Sequence, residues 1–423
     1  MNSTGIKQSI FSKINLATCI VLSVFSMHLL PSLCLSQQVA TSGYETPGIL
    51  KTSEILPPEL LGGDHFKVME EVATYDFTNR FTISTAFGQF EVIGEDMLRI
   101  RIQELLAIAA LQEIKKTKAF REAVEQAAMS PLRGARDLVN HPVDTVNGIP
   151  KGVGRLFEPE DETFTGNIEY RVTEEMADFF KLKQQHAHIL GVNIYSTNKK
   201  LQRELNGVTW TKFASGMSIK LNMETFRGIY NAAFFTANGD EFTQNMNQLI
   251  LDNAPENLGR LNREKLEQMG IREDVMETFL NHSIFSPRHQ TFIVHALAEI
   301  NQAKNRGYFI EQANYSIDKE DAFFYQRIAE MMLNFHKNVE PIVEIIPVRR
   351  VVVGYTDKKS IIATLPIDYV HWTEQADHGT DALLQLNTPD RPVKSLKISI
   401  SGKLSSRARI ELKAKGIEME ENM

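Results

Sequence analysis

Hydrophobic residues return every three or four positions over residues 97–129, the longest unbroken helical pattern in the chain. Leu98, Ile102, Leu105 and Ala109 fall on one line, which Phe120, Val124 and Ala127 rejoin further along. Glu104, Lys118, Glu122 and Glu125 fall on the opposite side, but so do Ile100, Leu111 and Ile114. The first half is therefore apolar nearly all round, a pattern that predicts burial on more than one face. Unbroken, such a helix would run about 50 Å. Ser130-Pro131 closes it and opens the next segment, since serine caps a helix and proline is tolerated at its first position.

Past that point the step changes. Leu132, Val139, Val146 and Val153 lie seven apart, with Leu156 and Phe157 at the end of the run. Arg133, Arg136, Lys151 and Arg155 stand against Asp137 and Asp144. A basic amphipathic stretch of this kind suits a membrane surface or a partner's groove. It also suits the protein's own body, where amphipathic helices ordinarily bury their apolar face. Leu132, Val139, Val146, Val153, Leu156 and Phe157 are the candidate surface for a membrane or an envelope protein, with core packing as the alternative.

On either side the pattern differs. Upstream, Phe81, Ile83 and Thr85 alternate with Thr82 and Ser84, and Phe90 and Val92 follow Gly88. That alternation predicts a β-hairpin or three-stranded meander packed on the long helix, because a hairpin alone is marginal in water. Residues 37–63 hold three prolines and four glycines without periodicity and read as a linker or extended arm. Downstream, 173–338 reads as helical, with candidate helices at 223–235, 240–252, 261–269, 272–281, 287–304 and 317–338. From 339 the chain turns β-branched in VEIIPVRRVVVGYT and SIIATLPID, then alternates helix and strand to IEMEE.

The expected fold class is α+β: an N-terminal β-hairpin or meander leading into long helices, a mainly helical middle and a small C-terminal α/β unit. The expected boundaries are 1–36, 37–63, 64–160, 161–338 and 339–423.

Composition changes the picture at the N-terminus. Residues 1–36 carry Lys7 and Lys13, no acidic residue, an apolar core from Leu16 to Leu30 and small residues around Ser36. That is the form of a secretory signal peptide, too short in its core for a membrane span. Cleavage there predicts export, to the periplasm or beyond, and removes Cys19 and Cys34, so the mature chain has no cysteine. Disulfides, a thiol nucleophile and a Cys-ligated metal are then excluded. Losing Lys7 and Lys13 moves the formal charge from −7 to −9, which disfavours nucleic acid as a partner.

Candidate chemistry is sparse. His371, Glu374 and His378 are spaced by three and four, which on a helix gives one face and a weak candidate set for zinc or a similar ion. An exposed polar face explains the same spacing. His186 and His188 lie two apart in a helical pattern and point to different sides. No nucleophile elbow, phosphate loop or dinucleotide fingerprint is present, and no cofactor is implied. Aromatic pairs at Phe179-Phe180, Phe234-Phe235 and Phe323-Phe324 sit in helical patterns and read as core.

Taken together, YDFTNRFTISTAFGQFEVIG, LRIRIQELLAIAAL, SPLRGARDLVNHPVDTVNGIPKGVGRLF, FSPRHQTFIVHAL and LPIDYVHWTEQA resemble a family of uncharacterised exported bacterial proteins. The resemblance implies export and a bacterial source and carries no activity. DLVNHPVDTV is similar to the proline-punctuated helical linkers of polymorphic toxins over ten residues. The functional expectation is a non-catalytic envelope or membrane-associated protein. A hydrolase with its site in the C-terminal unit, metal-assisted through His371, Glu374 and His378, is the alternative, and a secreted toxin or effector comes third.

Overall fold

The computed structural model describes residues 43–130, 174–219, 221 and 240–423. The leader over 1–36, the stripe from Leu132 to Phe157 and the helix expected over 223–235 lie outside the described residues. The architecture is α+β, as expected.

Short strands β1 (Ile49–Lys51) and β2 (Gly62–Gly63) flank two helical turns, α1 (Thr52–Ile55) and α2 (Pro58–Leu61). β3 (Phe66–Val68), β4 (Glu71–Tyr75), β5 (Thr78–Thr85) and β6 (Gly88–Ile93) follow. β5 is the spine: it pairs with β6 along one edge and with β4 and then β3 along the other, all antiparallel. β1 and β2 extend the sheet outward from β4 and β3. The expected meander is thus part of a six-stranded sheet, to which the stretch read as a linker or arm contributes two short strands, Ile49–Lys51 and Gly62–Gly63. Glycine and proline break any alternation there, which is why the pattern gives no sign of strands.

Phe66, Val72, Phe81, Ile83 and Val92 bury one face of the sheet against α3 (Glu95–Lys116). Leu98, Ile102, Leu105, Ala107, Ile108 and Ala110 of that helix are fully buried, so it is enclosed nearly all round, as its composition predicts. The rod is not continuous. Thr117 leaves the helical region, donates its hydroxyl to the Ile114 carbonyl (2.7 Å) and accepts from Phe120 N (3.2 Å), opening α4 (Lys118–Ala128). α5 (Glu174–Ile189) and α6 (Lys199–Ser215) complete this core, with Asn198 capping α6.

The helical middle contains α7 (Glu241–Asp252), α8 (Pro255–Gln268), α9 (Glu273–Leu280), α10 (Pro287–Glu299), α11 (Gly307–Ala313) and α12 (Lys319–Asn338). Asp240, Ser286 and Asp318 cap α7, α10 and α12 through their side chains. α8 starts at Pro255 instead of 261, because proline fits a first helical turn. These helices form a second core that extends onto the C-terminal sheet.

The C-terminal segment runs β7 (Ile342–Val348), β8 (Val351–Thr356), β9 (Ser360–Leu365), β10 (Tyr369–Val370), α13 (Glu374–Leu384), β11 (Ser395–Ile400), β12 (Lys403–Leu404), α14 (Ser406–Ala414) and β13 (Ile417–Glu420). Sheet order is β13-β11-β9-β8-β7, parallel from β13 to β9 and antiparallel from β9 to β7. Ile342, Ile345, Val352 and Ile362 face the helical core, while Val353, Ile361, Ala363, Leu396 and Ile400 face α13 and α14. The period of two along each strand divides the sheet between two cores. Residues Tyr44–Met423 make one compact unit, and no helix among the described residues is long and apolar enough to cross a membrane.

Candidate functional site

Side chains do not fill the space between the C-terminal sheet and the elements packed on its outer face. A cavity of about 590 Å³ remains, within the range that small-molecule sites occupy. Its floor is the sheet face at Ala363, Ile398 and Ile400. One wall is a stripe on α13, with Ala376, Gly379, Thr380 and Leu383 at helical spacing, and Trp372 stands just before that helix. Phe323 and Phe324 of α12 and Phe77 at the β4–β5 turn close the other side.

The turn is held by unusual means. Asp76 and Phe77 both have positive φ, 45° and 69°, so this is a two-residue hairpin turn of the type that matches strand twist. A phenylalanine in the left-handed region is strained and persists only where surroundings fix it. Here the Phe77 carbonyl accepts from Asp368 N (3.0 Å) and Tyr369 N (3.2 Å), and the ring packs into the core behind α13 and α14.

Asp368 then completes the joint. Its carboxylate accepts from Asn79 N (2.7 Å) and from Glu95 N (2.9 Å). Glu95 begins α3, whose N-cap is Gly94 with no side chain to offer, so a distant aspartate serves as the cap. Burial pushes the Asp368 carboxyl up to about 6, against the pull of those two N–H groups. Gly402 presses on the same residue: a Cβ there would stand 1.9 Å from the Asp368 carbonyl oxygen. At the cavity edge Arg327 donates to Asp96 (2.8 Å) and pairs with Glu330. The start of the described chain is tied in as well, since Glu45 accepts from Trp372 N (2.6 Å) and from the Ser405 hydroxyl (2.5 Å).

The weak metal set is not brought together. Thr373 caps α13, so His371 lies ahead of the helix, buried, with Nε2 unpartnered, whereas Glu374 and His378 are exposed on the helix surface. Burial pulls the His371 imidazole down, opposed by Glu45. Among the described residues no three His, Cys, Asp or Glu stand together in a way that could hold a metal. His186 is buried, with Nδ1 at 2.8 Å from the Thr209 hydroxyl, and burial together with Lys212 pushes it down to about 3. His188, two residues on, is exposed, so this pair divides between the two sides of α5.

No protein-family model, curated protein or solved structure matches the chain. The site residues Phe77, Asp96, Arg327, Asp368 and Gly379 are scattered through the sequence at no recognisable spacing. The signal that could have pointed there is Phe323-Phe324-Tyr325, since adjacent aromatics on a helix face different ways. Tyr325 is core, while Phe323 and Phe324 line the cavity.

Proposed function

We propose that this is an exported, non-catalytic envelope protein that holds an apolar small molecule in the cavity beneath α13. The observation that carries the proposal is the pairing of a ligand-sized, apolar-walled space with two charged wall groups, Asp368 and Arg327, that already have protein partners. Asp368 spends both carboxylate oxygens on backbone N–H groups, and Arg327 spends its guanidinium on Asp96 and Glu330. Groups held in this way bind the fold together and leave little to act on a substrate, which favours holding over turnover. The leader read over 1–36 supports an envelope location, where apolar ligands are at hand. The basic stripe from Leu132 to Phe157 would serve as the membrane contact.

Two experiments test the reading. Full-length protein recovered from cells is extracted with organic solvent and the extract analysed by mass spectrometry, alongside titration with a neutral naphthylamine probe. A stoichiometric apolar molecule, or saturable probe uptake, supports the holding role; an empty extract and no uptake refute it. Fractionation tests location separately, and retention of the uncleaved chain in the cytoplasm would contradict export.

A further inference from the structure

A second cavity, of about 1130 Å³, lies beside the first and shares Ile93, Met97, Glu320 and Phe323 with it as lining residues. Its chemistry is different. Arg288, on α10, lines it with its guanidinium carbon 4.3 Å from the centre of the Phe292 ring, and Nη1 donates to Asn247 Oδ1 at 2.6 Å. Among the described residues no carboxylate comes within ion-pair distance of this side chain. A guanidinium has five N–H donors in a planar fork, so most of its donor capacity is unspent. The end of α10 is not what makes the site, because the Ser286–His289 capping box already closes it.

Among the described residues, the groups around Arg288 supply it with no counter-charge. The Tyr195 hydroxyl lies within the electrostatic reach of Arg288, is shut from bulk water and has no hydrogen-bond partner. Gln326, which lines the same cleft, gives its Nε2 to Glu330 (2.7 Å) and leaves Oε1 unpartnered. The nearby carboxylate of Glu330 is occupied by Arg327 and Gln326. Burial pulls the Arg288 guanidinium down to about 10, with Glu330 and Tyr195 opposing. His289 is driven down to about 3 by burial, with Arg288 and Lys319 adding to the effect, so it stays neutral and supplies no counter-charge problem of its own. A half-buried cation without a counter-ion is costly, and natural sites answer it with an anion.

We infer that the cleft beside α10 binds a small oxyanion, a carboxylate or a phosphate, on the fork of Arg288. An oxyanion supplies what the guanidinium lacks, a charge. This inference stands apart from the apolar cavity: either can fail without the other.

The test is calorimetric titration and thermal melting of the full chain with inorganic phosphate and, separately, acetate. Wild-type protein should be stabilised by at least one of them, and the better binder names the source. In Arg288→Gln the response should fall by about tenfold or more in affinity, the usual scale for losing hydrogen bonds to a charged group. The anion-free variant should melt no lower than wild type, because an uncompensated cation has been removed. A packing arginine behaves in the opposite way, lowering the melting point while leaving the anion response alone. Should Arg288→Gln fail to fold, Arg288→Lys keeps the charge and loses the fork. No response to either anion in wild type, or an undiminished response in the variants that fold, overturns the inference.

Discussion

The two cavities share a wall at Met97 and Phe323, yet the arginines that line them, Arg327 and Arg288, are in opposite states. Around the apolar cavity the Asp368 carboxylate has two backbone donors and Arg327 has two carboxylates. Around the polar cleft Arg288 has no carboxylate among the described residues, and Tyr195 Oη and Gln326 Oε1 have no partner. The comparison separates a cation already paired within the protein from one with no carboxylate in reach among the described residues.

If the groups around the apolar cavity serve the fold, removing them must cost stability. The largest effect is expected at Gly402, where a Cβ would collide with the backbone of Asp368. Gly402→Ala should lose about 3–5 kcal/mol in a urea titration. A near-neutral result would show that the joint between β10 and β12 is loose and the cavity ill-defined.

Asp368→Ala comes next. It leaves Asn79 N–H and Glu95 N–H without their acceptor, and should cost about 3 kcal/mol. Wild type also carries a pH signature at this residue. Between its ordinary value of 3.8 and about 6, the native state holds a proton that the unfolded chain has released. Stability from this group is therefore fully present below that window and is lost as pH rises through about 6, by about 3 kcal/mol in all. Melts from pH 4 to 7 should show the fall in wild type and a flatter line in Asp368→Ala. A wild-type curve that rises across the window would reverse the assignment of burial as the dominant influence.

Smaller effects complete the comparison. Arg327→Met breaks two ion pairs, a partly exposed one with Asp96 and a more buried one with Glu330, and should cost about 1–2 kcal/mol, with the Asp96 share shrinking as salt is added. Gly379→Ala should gain about 0.5–1 kcal/mol, since its Cβ would meet nothing within 4 Å and alanine is the better helix former. A loss there would mean that the α13 stripe already touches something.

Much of the fold was legible from hydrophobic period alone. Leu98, Ile102 and Leu105 sit at zero exposure as their spacing required, and β-branched runs located β7, β8 and β9. The break at Thr117 was not legible, because Phe120 and Ala127 keep the same apolar line on both sides of it. Nor were β1 and β2, whose glycines and neighbouring prolines hide pairings with distant strands. The candidate site was less accessible still. The cap of α3 comes from Asp368, 273 positions away, and no local spacing records such a contact. His371, Glu374 and His378 have the spacing of one helical face, but the helix is capped by Thr373, two residues after His371, so the three do not share it.

The central claim is that the space beneath α13 holds an apolar molecule. Its most direct test is titration of the neutral naphthylamine probe into wild type and Gly379→Leu, whose added side chain would extend into the cavity from a position with open space around its Cβ. The account predicts saturable uptake by wild type, and loss of uptake by a variant that remains folded and at least as stable. Equal uptake by both proteins, or none by wild type freed of bound molecules by solvent extraction, would contradict it.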